Sequence, residues 1–493
     1  MHRRNFLALG AAPALWAQAP QRAFPKEAVE SLTPGPEPAV ILNHLGFVPE
    51  SKKLLIVRTS GESPPAQFSM REIGSVLEPF RIRRPLARVS SGGVAALAGD
   101  FSDVRREGMY QVSVNGERSV PFFIRPDVWR RTLPKAAGYH KYQRCGVRVP
   151  NVHAACHLDD ARRRDNGEHV DLTGGWHDAG DLRKWMTATM MNAFGMLWLL
   201  RNLGEDWDLA GSGSAPVREE VRWGNVYFLK MQDKDGLVFA DVAGGIHGDN
   251  SDNHWTDNRA GTKDDRYLNV SKTEVVQAMF AALQAMMAQE FARSDREYAG
   301  TCLQAALRCW SAAGKRGDSS LTAAWWTLAA LELRRATRRE EYGNAAVEYG
   351  SGLAALQNTQ FTGNQKRIRG FWQTAKTDSN PYCEAVYSAL PGIALLQLST
   401  ELSGHSDAAR WRDAVRLHLD EYVLPMSALS CYGNVPYGVF FGSPTPEVYR
   451  PLAGDLTFRH FMPTRKQSWW LGMSSHLQCY AVLLASAAPA FRN

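Results

Sequence analysis

Cysteine is scarce in this chain: seven among 493 residues, at positions 145, 156, 302, 309, 383, 431 and 479. An odd number without framework spacing excludes a disulfide-built scaffold, so the fold must rest on buried apolar surface. Long hydrophobic runs are also missing. Past the first twenty residues, no segment is long and apolar enough to cross a bilayer. Nor is charge of one sign concentrated: the formal net charge of +7 is spread out, with short basic runs such as ARRRD at 161–165 and LRRATRRE at 333–340. A nucleic-acid surface gathers its charge in one place, so these runs read as solvated helix faces and nucleic acid is not an expected partner.

Apolar side chains are plentiful. With 44% hydrophobic and 22% charged residues the chain can bury a core, and its length exceeds one ordinary core, which predicts two domains. Fifteen tryptophans exceed what packing usually needs. They fit a carbohydrate or ligand cleft, alongside the plainer reading that most of them pack the core. The first residues, MHRRNFLALGAAPALWAQAP, place two arginines ahead of a short apolar run that ends in Ala17-Gln18-Ala19. This pattern predicts a twin-arginine signal peptide over 1–19, removed in a mature chain that is periplasmic or extracellular. An uncleaved anchor is the alternative, but the run is too short to span a membrane.

Residues 20–38, including SLTPGPEP, read as a Pro-rich linker. From 39 to 126 the pattern is β-like, with runs such as KKLLIVRT and GMYQVSVNGERSVPFFI and a hairpin signal at Asn115-Gly116. These ninety or so residues predict a β-sandwich. From 128 to 493 the period is helical. Segments at 184–203, 219–232, 271–291 and 321–337 carry apolar residues at three-to-four spacing, and further helices are expected at 296–313, 341–357, 383–400, 407–422 and 474–487. Ser271 with Glu274, and Ser294 with Glu297, fit capping boxes. So many helices without intervening strands argue for an all-α toroid of paired helices, with the irregular stretches 237–269 and 360–380 over one mouth. Cys302 and Cys309, seven apart on one helix, read as small buried hydrophobes.

The chemistry concentrates in CHLDD at 156–160 and GGWHDAGD at 174–181. Cys145, Cys156, His157 and His177 together offer two thiolates and two imidazoles, the donors of a closed tetrahedral zinc site. Spacing alone leaves open whether they are instead unrelated buried thiols and surface histidines. Asp178 and Asp181 precede the helix that begins near Lys184. One of them is explained as an N-terminal cap. Both together, on a loop given tight paths by Gly174, Gly175 and Gly180, can hold one water between them, as an inverting glycosidase requires. Direct use of His177 and the aspartates in a metal-dependent hydrolase is a weaker alternative.

The run QRCGVRVPNVHAACHLDDARRRDNGEHVDLTGGWHDAGDLRKWM resembles glycoside hydrolase family 9, whose members share a DAGD motif and an (α/α)6 barrel. ILNHLGFVPESKKLLIV and GMYQVSVNG…SVPFFI resemble the branch with an N-terminal immunoglobulin-like domain. The likeness extends through EVRWGNVYFLKMQDKDG. It implies an immunoglobulin-like β-sandwich followed by an (α/α)6 barrel, with Asp181 as general base and Asp178 as its partner on the water. It also implies a structural zinc at Cys145, Cys156, His157 and His177. The implied partner is a polysaccharide or oligosaccharide, cellulose-like β-glucan foremost, met by a monomer that binds no membrane once its signal is removed. The C-terminus departs from the family. HFMPTRKQSWWLGMSSHLQCYAVLLASAA places Met473, or in another alignment Ser475, where the general-acid glutamate stands. Glu447, Asp455, Glu384 and His476 are the conceivable replacements. Trp469 and Trp470 would stack on sugar faces or pack the last helix. A glycan-binding protein without turnover is therefore the alternative function.

Overall fold

The structure, a computed structural model, describes residues 40–491 apart from 59–63, 75–78, 92–93, 181, 204–214, 244–254, 315, 362–367, 385, 429–432, 436, 442–449, 454–455 and 460–471. The signal at 1–19, the linker at 20–38, Asp181, Glu447, Asp455, Trp469 and Trp470 lie outside the described residues. The chain divides into two compact units. One comprises Pro134–Ala355 and Gln397–Trp411; the other comprises Glu30–Leu133, Leu356–Leu396 and Arg412–Asn493.

In the second unit, nine short strands form two sheets. One sheet has the order β1 (Val40–Ile41), β2 (Leu54–Arg58), β6 (Val94–Asp100), β5 (Ala87–Ser91), all antiparallel. The other has the order β4 (Arg81–Pro85), β3 (Gln67–Glu72), β7 (Gly108–Val114), β8 (Glu117–Arg118), with β9 (Phe122–Ile124) also paired to β7. Alternation explains the inner faces. Along β7, Tyr110, Val112 and Val114 are buried while their neighbours are not, and Phe68, Met70, Leu55, Val57 and Leu97 meet them from the other strands. Phe47, Phe101 and Phe122 complete the core in edge-on or tilted contacts. The expected hairpin is present: Asn115 (φ 48°) and Gly116 (φ 90°) both take positive φ between β7 and β8, the form that suits strand twist. Edge strand β4 reads RIRRP, and its arginines keep a flat edge from pairing with another chain.

Helices dominate the first unit. In chain order they are α1 (Leu133–Tyr142), α2 (Met186–Leu203), α3 (Ala215–Lys230), α4 (Glu274–Phe291), α5 (Arg296–Ala312), α6 (Ser320–Thr337) and α7 (Glu340–Ala355); the next two helices, α8 (Leu390–Glu401) and α9 (Ala408–His418), each belong partly to the first unit and partly to the second. Helix α2 packs on α3 and α4, α4 on α5 and α6, and α6 on α7. Burial separates two kinds of helix. Fourteen of the eighteen residues of α4 are buried but only five of the seventeen of α5, so α4 is an inner helix and α5 an outer one. The same contrast holds between α6 and α7. Three helical hairpins thus lie side by side through α2, α4 and α6. Cys302 and Cys309 are fully buried on α5, as their spacing predicted.

Three local expectations are corrected. Helix α4 is capped by Thr273 without a side-chain bond, because Glu274 turns to the backbone N–H groups of Arg316 and Gly317 and to the Trp326 indole. Asp295, not Ser294, caps α5 by accepting from the Tyr298 N–H. A reciprocal capping box does form, between Ser319 and Thr322 at α6. The helix expected from 383 begins only at Leu390, with Pro391 in its first turn, so Glu384 stands in the preceding segment instead of starting a helix. No helix among the described residues is long and apolar enough to cross a membrane.

Candidate metal centre and acidic loop

Between α1 and α2 the chain runs over forty residues with almost no regular structure. Among the described residues its regular pairing is a small sheet, β10 (Arg162–Arg163), β13 (Tyr267–Asn269), β12 (Asp241–Ala243), β11 (Lys184–Trp185), with isolated bridges such as Arg144–Trp176. Four side chains converge within this segment. Cys145, Cys156, His157 and His177 are all buried, and one donor atom from each lies within 4.8 Å of the other three. His157 Nδ1 is 3.5 Å from Cys145 Sγ and 3.2 Å from His177 Nε2, and His177 Nε2 is 3.8 Å from Cys156 Sγ. Bonds of about 2.3 Å to sulfur and 2.0–2.1 Å to nitrogen give a tetrahedron with edges of about 3.3–3.8 Å. The three separations lie close to those edges, the imidazole pair slightly inside them.

Charge favours the same use. Burial alone would raise the Cys145 thiol, but a hydrogen bond from Cys156, the Lys184 ammonium and the two imidazoles outweigh it and hold Cys145 well below the ordinary thiol range. Cys156 is raised in turn, chiefly by that hydrogen bond and by burial. The two thiols thus share one negative charge, and a cation between them would release the second proton. Burial lowers His177, leaving its imidazole neutral and able to ligate. Trp255 lids the cluster: its ring stacks on His157 at 5.7 Å and meets His177 edge-on at 5.9 Å.

The same cluster fixes the acidic loop. The Cys145 N–H donates to the Gly175 carbonyl and the His177 N–H to Gln143 O, so the loop is sewn to the segment after α1. Gly175 (φ 77°) leaves no room for a side chain, since a Cβ there would lie 2.6 Å from the Tyr227 ring. Trp176 buries its indole and donates to Glu220, which also takes both arms of Arg144. Just past the loop, fully buried Lys184 donates to the Leu172 and Gly174 carbonyls and pairs with Asp160 at 2.5 Å. Arg266 grips Asp160 with two nitrogens, at 2.8 and 2.5 Å, and reaches the Leu182 carbonyl with a third. Burial would raise Asp160, yet Arg266 and Lys184 pull it down to about 2.

Within this frame Asp178 is half-buried, and its N–H bonds to the Arg183 carbonyl at 2.8 Å. Arg183 pairs with buried Asp241 and lies over the Trp185 ring at 4.7 Å. The four metal-ligand candidates named from sequence are therefore brought together, and Asp178 stands on the loop they anchor. His177 stands in the four-donor cluster. Of the acid candidates, His476 is buried and bonds to Ser388 Oγ at 2.5 Å, whereas Glu384 is exposed and its carboxyl is raised by desolvation from the surrounding chain. Sequence reasoning passed over Asp160, Lys184, Arg266 and Trp255. The second aspartate of CHLDD was the visible signal for the first. Nothing local marks Arg266, 106 residues away from its partner.

Residues 129–438 match the model of glycosyl hydrolase family 9, and residues 35–119 match that of the cellulase N-terminal ig-like domain. A cellulose 1,4-beta-cellobiosidase of Acetivibrio thermocellus is 27% identical over 339 residues, 57% of this chain and 37% of that protein. A cellodextrinase of Butyrivibrio fibrisolvens is 28% identical over 295 residues, 54% of this chain and 50% of that one. The chain thus spans half or less of the length of these curated relatives. Among solved structures, a mutant thermostable endoglucanase from Alicyclobacillus acidocaldarius aligns with a TM-score of 0.59 at 17% identity, covering 81% of this chain and 73% of that one. A zinc-binding triple mutant of another family 9 endoglucanase aligns with a TM-score of 0.55 at 23% identity over 78% and 73%. At these identities the likeness establishes the fold, an immunoglobulin-like sandwich followed by a helical barrel domain.

Proposed function

Because the chain belongs to glycosyl hydrolase family 9, we propose that it hydrolyses β-linked, cellulose-like glucan with inversion at the anomeric carbon. Asp181 takes the proton from the attacking water, and Asp178, three residues earlier on the same loop, orients that water. One observation carries this reading: the loop bearing Asp178 is anchored on one side by the thiol–imidazole cluster and on the other by the buried Asp160–Lys184–Arg266 group. A carboxylate that must meet a water at a fixed angle needs such a frame.

Zinc is the metal that suits Cys145, Cys156, His157 and His177. With four protein ligands it has no open position for substrate, so the chemistry it supplies is structural. The chain's own residues do the rest. Asp178 and Asp181 hold the water; the acid across the cleft, about 6.5–9.5 Å away in an inverting site, protonates the leaving oxygen. Met473 carries no acidic proton, and the Ser475 hydroxyl is far too weak an acid to protonate a departing glycosidic oxygen. Among the described candidates Glu384 fits that role better than His476. It is accessible, and desolvation raises its carboxyl, which keeps the proton to higher pH. Glu447 and Asp455 remain candidates, with Trp469 and Trp470 as sugar platforms.

The missing glutamate at Met473 favours a second reading, a glycan-binding protein without turnover. Reducing ends released from soluble β-glucans separate the two. Hydrolysis by the parent, reduced about 10²–10⁴-fold in Asp181→Asn, supports the enzyme; binding by the parent with no release supports the binding protein. Export by the twin-arginine route, suggested by MHRRNFLALG, would carry the folded, metal-loaded chain to the periplasm or beyond, where it works as a monomer.

A further inference from the structure

A second polar cluster shares none of the residues of the first. Asp159, Asp257 and Asp264 each bring a carboxylate oxygen within 4.8 Å of the other two. Asp257 and Asp264 close an eight-residue loop, in which the Asp257 N–H donates to Asp264 Oδ2 at 2.7 Å and Thr262 Oγ1 donates to Asp264 Oδ1 at 2.5 Å. Acidic loops of this kind are common and by themselves mean little. Asp159 is different. It is 1% exposed, its Oδ1 accepts from Thr256 Oγ1 at 2.6 Å, and its buried Oδ2 has no hydrogen-bond partner among the described residues. A carboxylate oxygen taken out of water without a donor is costly. Two further carboxylates beside it raise that cost, unless a cation belongs among them.

We propose that Asp159, Asp257 and Asp264 form a binding site for a divalent cation with hard oxygen preference, calcium above magnesium. The donors are all oxygen, which excludes the soft-ligand chemistry of the neighbouring thiols. They come from two chain segments about a hundred residues apart, on a loop with hydroxyl and carbonyl oxygens around it. Such a set meets the six to eight contacts of calcium at about 2.3–2.6 Å more easily than the tight octahedron of magnesium. The ion ties the 255–265 loop to the CHLDD segment. Trp255, next to Thr256, is the ring that lids the thiol–imidazole cluster, so occupancy here presses that lid into place.

The test uses the full chain with its thiol-held metal in place. Terbium, a luminescent stand-in for calcium, is titrated while tryptophan is excited, and calcium and magnesium are then added as competitors. The expected result is sensitised emission displaced by calcium at concentrations at least about tenfold below those needed for magnesium. In Asp257→Asn, an exposed position where folding is not at risk, the affinity should fall roughly 10- to 100-fold, as it should in Asp159→Asn if that variant folds. Emission unchanged in Asp257→Asn, or absent from the parent, would overturn the site. Displacement by magnesium as readily as by calcium would overturn the choice of ion.

Discussion

The sandwich and the segment between α1 and α2 solve the same problem with different materials. In the sandwich, burial is nearly all hydrocarbon: Phe68, Tyr110, Val112, Phe101 and Phe122 fill the space between two ladders, and periodicity two does the sorting. Residues 143–184 have almost no ladder, and beside Val149, Leu172, Trp176 and Leu182 they bury two thiols, two imidazoles, two carboxylates and a lysine. The sandwich tolerates a range of apolar side chains of suitable volume. The loop tolerates little, because its buried charges are held by particular partners, Asp160 by Lys184 and Arg266. A loop that must present a carboxylate at a set angle gains position from that exactness, at the cost of robustness.

The largest effect expected from breaking this contrast is removal of the metal. Structural sites with this donor set commit on the order of 10 kcal/mol of binding free energy. A strong chelator, or Cys156→Ser, should abolish slow amide exchange across 143–184 while the strands at 54–124 keep their protection; loss of protection in both regions together would erase the distinction drawn here.

Next in size is a matched pair of variants. Asp160→Asn leaves Lys184 and Arg266 buried without their counter-charge and should cost about 3–5 kcal/mol in urea unfolding at neutral pH. Phe101→Ala in the sandwich should cost a similar amount for a different reason, a cavity. Acid tells them apart. The Asp160 carboxyl is lowered in the folded state to about 2, so its contribution is fully present above the ordinary carboxylate range and is lost as pH falls toward 2. Asp160→Asn should therefore remove part of the acid sensitivity of the parent, and Phe101→Ala should leave it intact.

The smallest expected change lies at the hairpin. Gly116→Ala meets open space but must hold a φ of 90°, and should lower stability by about 1 kcal/mol with the proposed β-glucan hydrolysis unaffected.

How much of this was legible depends on how local the cause is. The hairpin at Asn115-Gly116, the strand at β7 and the helical apolar spacing of α4 and α6 are written in neighbouring residues, and they read correctly. The thiols and imidazoles were legible as a donor set, although their spacing could not say that they meet. Capping was misread at Glu274 because tertiary donors at Arg316, Gly317 and Trp326 outcompete the local backbone. The helix expected from 383 starts late because Pro391 sits well in a first turn and poorly within a helix. Asp160 and Asp159 were in plain view in CHLDD, but their roles depend on Arg266 and Asp257, which no pattern within twenty residues announces.

That distance matters during synthesis. Asp160 and its guanidinium partner are 106 residues apart, and at 5–20 residues per second a ribosome takes roughly 5–20 s to make the stretch between them. All four sulfur and imidazole donors emerge before Arg266 exists. The nascent chain can therefore gather the four donors first, and that turn then waits, already shaped, for the arginine that completes its charge balance.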